Sequence, residues 1–305
     1  MTEEPAHTEE PGARELPGHI AALLARSNTD ERGRPADSAG VPWSGRDLSG
    51  DGNPLHTFDG DDGRIAPAVD RARQRLLAGE LSEARFVAAL RGQRLFVPVM
   101  ATLADEGERP DGADSVPGSG GDKQADIALV SITSASGRRT MPVFTGVEAL
   151  TEWHRQARPV AAESGRIMLA ALGEGADLAV LDPGSRLSFV LRRPAMTALA
   201  QGSPWTPSYE DREVASALEE VVDQSPGVRR LIVRPGRGVG TTTSDGVAVA
   251  GGGSGPELMI AVVPEPGLDE TDRKIAAASV RTCVAELELL RRRADSVEIV
   301  LTDPD

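Results

Sequence analysis

The sequence predicts an α+β fold: two domains, each with helices packed on a small mixed sheet, preceded by a disordered acidic tail. Three observations carry this. Glu80 to Met100 (ELSEARFVAALRGQRLFVPVM) runs from a helical pattern straight into a strand. Arg138 to Trp153 (RRTMPVFTGVEALTEW) runs from a strand into a helix with a capping signal. Beyond Gly202 a helix, strand, strand, helix, strand order repeats the alternation in a smaller unit.

The elements follow in chain order. Residues 1–57 are rich in Pro, Gly, Asp and Glu with little to bury, the composition of a disordered segment. Within them Ile20, Leu23 and Leu24 stand at helical spacing, which reads as nascent structure. The first domain, 58–202, opens near FDGDDGRIAP. Pro67 suits the first turn of a helix, where its missing N–H costs nothing. Val69, Ala72 and Leu76 then form one apolar face, and Gly79 ends it. Ser82 N-caps a second helix carrying Phe86, Val87 and Leu90. Arg94 to Thr102 is a strand, apolar on both faces and so covered on both. Pro98 places it at an edge or a bulge.

Residues 105–124 form a loop of Gly, Pro, Ser and acids. Asp126 to Thr133 and Arg139 to Phe144 read as a hairpin. Thr145 and Glu148 form a T-x-x-E capping box, with Val147, Leu150 and Trp153 on the buried face of the helix they open. A further helix is expected at 161–172, then a strand at Leu178 to Leu181. Asp182-Pro183-Gly184 is a turn. Leu187 to Leu191 is a strand, and Pro194 starts a helix ending at Gly202.

SPWTP (Ser203 to Pro207) reads as a linker to the second domain, 203–305. A helix from Tyr209 to Asp223 turns Val214, Leu218 and Val221 inward, and Arg229 to Arg234 is a strand. Pro235 to Gly255 is a Gly/Thr/Ser-rich flexible hairpin with a strand at Val247 to Ala250. Leu258 to Val263 is a strand. Asp269 or Thr271 caps a long helix reaching Arg293, and Val297 to Leu301 is the last strand.

Bulk properties then limit the function. The chain of 305 residues carries a net charge of -14, so it repels phosphate backbones and anionic lipid surfaces. Neither a nucleic acid nor a membrane is an expected partner. The one basic cluster, Arg229, Arg230, Arg234 and Arg237, reads as a solvated strand edge. The single cysteine excludes an intramolecular disulfide and a Cys-based zinc cluster. With no apolar run long enough to span a membrane and no secretory signal pattern, a cytoplasmic location is expected.

Catalytic patterns fail one by one. Of the histidines only His154 lies on an expected element, and it reads as a surface or cap residue. Cys283 shares a helix face with Ala276, Val280, Leu287 and Leu290, so it reads as core. RPGRGVGTTTSDG follows a strand, but its third glycine comes one residue early for a dinucleotide fingerprint, and no helix follows. No metal ligand set, cofactor motif or nucleophile elbow is present in the sequence, so no catalytic, cofactor or metal residue is assigned.

The first domain resembles the N-terminal domain of the bacterial SseB family, named for enhanced serine sensitivity. The pieces that carry the resemblance are FDGDDGRIAP, ELSEARFVAALRGQRLFVPVM, KQADIALVSI, TMPVFTGVEALTEW and ADLAVLDPGSRLSFVLRRPAMTAL, covering Phe58 to Gly202. Relatives often carry Asn-Pro-Gly where this chain has Asp182-Pro183-Gly184, and either side chain holds that turn. The resemblance implies an α+β domain and brings no catalytic residues. A well-specified fold beside a poor catalytic inventory points to a non-enzymatic regulatory or protein-interaction module with a protein partner. The alternative, which the family name hints at, is a sensor or enzyme of a small amino-acid-related metabolite. The expected surface surrounds the strand-to-helix junction: Phe144, Thr145 and Glu148, with Asp126 and Asp182 nearby. There the helix N-terminus offers free N–H donors to an acidic partner or small anion. A purely local reading has Thr145 and Glu148 only capping each other.

Overall fold

Pro67 opens the first helix, where its fixed φ fits, and helices and strands are then interspersed along the chain. The computed structural model describes residues 61–101, 127–134 and 137–303. The expected tail at 1–57 and the loop at 105–124 lie outside these. All the described residues belong to one compact unit.

Helix α1 (Pro67–Leu77) buries Val69, Ala72 and Leu76. Helix α2 (Glu83–Leu90) is capped by Ser82, whose Oγ accepts the Arg85 N–H, and buries Phe86, Val87 and Leu90. Strand β1 (Arg94–Ala101) pairs with β2 (Ile127–Leu129) and with β5 (Arg158–Glu163), both antiparallel. Leu95 and Val97 face one core and Phe96 another, so both faces are covered. Pro98 lies in the middle strand of its sheet, but at a local edge, as expected. It stands opposite Pro159 inside the ladder, and pairing with β2 begins one residue later, at Val99. A proline is tolerated where its missing donor faces no waiting acceptor.

A second sheet runs β3 (Ile132–Thr133), β4 (Arg139–Val143), β6 (Leu178–Leu181), β7 (Phe189–Arg192). The β4–β6 pair is parallel and its neighbours are antiparallel. Phe96 and Phe144 exchange both backbone hydrogen bonds at 2.8 Å, which stitches the two sheets together. Helices α3 (Val147–Trp153), α4 (Ser164–Gly173) and α5 (Arg193–Ala200) fill the connections. Phe86, Phe96, Phe144 and Phe189 are each at most 1% exposed. Burying a side chain of this size contributes about 1.5–3 kcal/mol.

Two local expectations change here. The expected hairpin splits: Ile127–Leu129 joins β1, and only Ile132 and Thr133 pair with β4. The helix expected from 161 begins at Ser164, because Arg158 to Glu163 pair with β1 as β5. Six ladder partners outweigh the helical propensity of two alanines.

After a single 3-10 turn (Ser208–Glu210), helix α6 (Arg212–Gln224) buries Val214, Leu218 and Val221. The sheet of this half runs β12 (Val297–Leu301), β11 (Leu258–Pro264), β8 (Val228–Pro235). The expected long helix breaks at Leu287 into α7 (Glu270–Glu286) and α8 (Glu288–Arg293). Cys283 is half-buried against the second core, where Ser225 Oγ lies 3.9 Å from its sulfur.

The Gly-rich segment is a paired hairpin, β9 (Gly240–Thr242) and β10 (Ala248–Gly252), docked on the first half. Val249 enters the first core beside Phe189. The glycines serve close approach. A Cβ at Gly252, where φ is +71°, would stand 2.3 Å from the Phe189 ring, and one at Gly238 would stand 2.1 Å from Gly255. The flexible excursion expected from composition is therefore a wedge.

Candidate functional site

The strand-to-helix junction was the expected surface, and its chemistry turns inward. The Thr145 N–H donates to Asp182 Oδ1 and its hydroxyl to Oδ2, both at 2.7 Å. Thr145 and Asp182 are 4% and 3% exposed, and Phe144 is fully buried. Asp182 adopts φ +49°, a left-handed conformation that Asp and Asn tolerate better than other non-glycine residues. Burial raises the Asp182 carboxyl above its ordinary range, outweighing the two bonds from Thr145.

The capping box does not form. Gly146 is the N-cap of α3, without a side-chain bond, and Glu148 is exposed. Thr145 sits one residue too early, and its hydroxyl is held by Asp182. The Val147 N–H donates instead to the carbonyl of Gly63, at 2.8 Å. The described part of the FDGDDGRIAP segment, from Asp61 on, has a packing role: its loop closes the start of α3. Arg94 fastens that loop, binding both carboxylate oxygens of Asp61, the carbonyl of Arg64 at 2.5 Å and that of Thr145 at 3.1 Å. Its guanidinium lies 4.2 Å from the Phe96 ring centroid. Of the five expected surface residues, Phe144, Thr145 and Asp182 are buried structure and Glu148 alone is open. Asp126 lies outside the described residues.

A second polar centre, missed by sequence reasoning, sits where the β9–β10 hairpin meets the first half. Glu83, on α2, accepts from the Gly252 N–H at 3.0 Å and the Tyr209 hydroxyl at 3.2 Å. Burial pushes the Glu83 carboxyl up against the opposing effects of Gly252, Arg192 and Tyr209. Arg192 is 1% exposed and donates to the carbonyls of Gly255 at 2.7 Å and Gly238 at 2.8 Å. Asp295 binds Arg138 with both oxygens, at 2.5 and 2.8 Å, and Arg192 at 3.4 Å. Glu257 receives Ser208 through its N–H and hydroxyl, and the Asp295 N–H at 2.7 Å. Every one of these carboxylates is committed to holding backbone or arginine, which is the chemistry of a staple. Nothing short-range announces it, since Glu83 and Gly252 are 169 positions apart.

The open feature is at β8. It is an outer strand, paired with β11 alone among the described residues. Helix α6 lies alongside, and between them runs a groove of about 540 Å³ lined by Leu218 and Val222 and by Leu231, Ile232 and Val233. Arg229 and Arg234 flank this apolar trio, are exposed, and make no ion pair among the described residues. Arg237 pairs with Glu298 at 3.5 Å. Arg229, Arg230 and Arg234 lie on this outer strand as the sequence implied, Arg237 lies beyond its end, and the groove beside the strand is what the sequence did not reveal. A smaller cavity of about 400 Å³ lies between α5, the 203–206 segment and α8, lined in part by Trp205, Glu213 and Arg292. The Trp205 indole N–H is buried there without a hydrogen-bond partner among the described residues.

The family model described as the SseB protein N-terminal domain matches residues 69–198. That span runs from within α1 into α5 and leaves β8 to β12 outside. No curated protein and no solved structure matches the chain.

Proposed function

The chain is an SseB-family protein through residues 69–198, and from that premise we propose that it is a non-enzymatic protein-interaction module of the bacterial cytoplasm. The observation that supports this is β8, outermost in its sheet among the described residues, with the groove between it and α6. An outer strand beside an apolar slot is the arrangement by which sheets accept a partner strand. The SseB domain and the buried staple hold the hairpin and β11, against which β8 is aligned. A photo-crosslinking residue placed at Ile232 in the full chain tests the reading in cells. A discrete adduct from Ile232, absent when the probe replaces exposed Glu152, is expected. Equal or absent labelling at the two positions would overturn it.

A second reading has one observation of its own. The cavity at Trp205 combines an indole donor without a partner among the described residues with Arg292, loosely paired to Glu288 at 3.9 Å, and Glu213, which holds Arg293 at 2.8 Å; an amino acid's carboxylate would compete for Arg292. Thermal-shift screening against amino acids distinguishes it: stabilisation that disappears in Arg292→Ala would favour a metabolite sensor.

A further inference from the structure

We infer that β12 pairs edge to edge with β12 of a second copy, antiparallel about Ile299, so that two three-stranded sheets join into one. This surface is separate from the β8 groove, at the opposite edge of the same sheet. Its backbone comes first. The ladder with β11 is parallel and unbroken from Val297 to Leu301. Ser296 accepts from the Leu258 N–H and Thr302 donates to the Val262 carbonyl, both at 3.0 Å. Bonded residues alternate along such a strand, so Val297, Ile299 and Leu301 turn their N–H and C=O groups away from β11. No strand among the described residues takes them up. The side chains add to this. Val297 and Leu301 are both exposed, and Ile299 lies half-buried between them.

The two edges of the sheet differ in how they are guarded. Strand β8 carries three arginines, ends in Pro235 and shifts register near its start. Charges, prolines and irregularities keep an edge from pairing with its own copy. Strand β12 has no proline, no basic residue and no shift. Its one charge, Glu298, receives the Arg237 N–H at 3.1 Å and the Arg237 guanidinium at 3.5 Å. A charged peptide would find no unpaired charge here to answer its own, whereas a second copy fits at each position. Antiparallel pairing about Ile299 sets Val297 opposite Leu301 and Ile299 opposite itself, each pair exchanging both backbone bonds. Glu298 falls opposite Val300, so no like charges meet directly. Two residues past the strand, the register would set Asp303 against Asp295 of the other copy, and Pro304 has no N–H. The ladder therefore ends where β12 ends. The joined sheet has β8 at both of its outer edges, where the arginines oppose growth by further copies.

Sedimentation equilibrium of the full chain, from low micromolar to several hundred micromolar, should show the monomer mass passing to twice its value. A contact of one strand edge is at the small end of interface sizes, so the dimer should be reversible. Added salt should tighten it, because each copy carries -14 and the contact uses no ion pair. Val297→Lys with Leu301→Lys places like charges opposite one another and should weaken association by about tenfold or more. Its melting temperature in dilute protein should be unchanged, since both side chains are exposed. Hydrogen exchange on the unmutated chain gives an independent readout. The amides of Val297, Ile299 and Leu301 should gain protection as concentration rises, while those of Glu298 and Val300 stay protected throughout. In a Cys283→Ser background, Val297→Cys with Leu301→Cys should form a covalent dimer on mild oxidation, and either substitution alone far less. A monomer at every concentration overturns the inference. A dimer that the Lys variant leaves intact puts the contact elsewhere and overturns it as well. Equal cross-linking by the single variants removes the register and with it the pairing. Full protection of the three outward amides in dilute protein would mean that another segment of the same chain covers the edge, and also overturns it.

Discussion

Arginine is used in two opposite ways in this molecule. Arg94, Arg138 and Arg192 point into the protein and hold carboxylates and backbone carbonyls that would otherwise be buried without donors. Arg229 and Arg234 point out from β8 and hold nothing among the described residues. One residue type therefore serves as a staple in one region and as an unoccupied contact in the other. A charge that is buried and bonded belongs to the fold, whereas one left exposed along an outer strand is available to a partner.

The largest test of the contrast is at the staple. Arg192→Ala leaves Asp295 and two carbonyls buried with too few donors, and should cost about 3–5 kcal/mol by urea denaturation. A loss below about 1 kcal/mol would show that the network is incidental. Next is the junction. Asp182→Ala strands the Thr145 N–H and hydroxyl, and should cost about 2–3 kcal/mol. Asp182→Asn should stay within about 1 kcal/mol, since Asn accepts and donates in the same place and tolerates the left-handed backbone.

Glu83 gives a pH test of intermediate size. Its folded-state pKa lies above the ordinary 4.5, so the native state holds the proton more tightly than the unfolded chain. The associated stability is fully present below about pH 4.5 and is lost as pH rises through the folded value. Asp182 is shifted in the same direction, with its ordinary value at 3.8. Glu83→Gln keeps an acceptor for the Gly252 N–H and removes the ionisation. The melting temperature should then decline less between pH 4.5 and 7 than in the parent. An unchanged slope would remove Glu83 as a source of the decline. The smallest stability effect belongs to the outward arginines. Arg229→Ala and Arg234→Ala should each change stability by no more than about 0.5 kcal/mol, as surface substitutions do. A larger loss in calorimetry would mean that these residues are structural after all.

Much of the fold was legible because its signals are short-range. Val69, Ala72 and Leu76 mark α1 by spacing alone, and Val214, Leu218 and Val221 mark α6 in the same way. Ser82 caps α2 as its type and position require. The junction at Thr145 was legible as a strand meeting a helix, but not as a buried bond to Asp182, which lies 37 residues away. Read alone, T-G-V-E is a capping box; the carboxylate that competes for the threonine hydroxyl arrives from a different turn. The β8 groove was half legible. The arginines and the strand could be seen in the sequence, but not that the strand would be outermost or that α6 would leave a slot beside it.

What the sequence determined by itself is the set of elements and their apolar faces, because helix and strand periods are written within ten or so residues. What only the tertiary structure decided is which polar groups became staples and which stayed open. Arg158 to Glu163 became a strand because β1 was there to pair with it. The glycines of the β9–β10 hairpin became a wedge because Phe189 and Glu83 leave no room for a Cβ. Burial, and with it the work a charge can do, is a property of where distant segments meet.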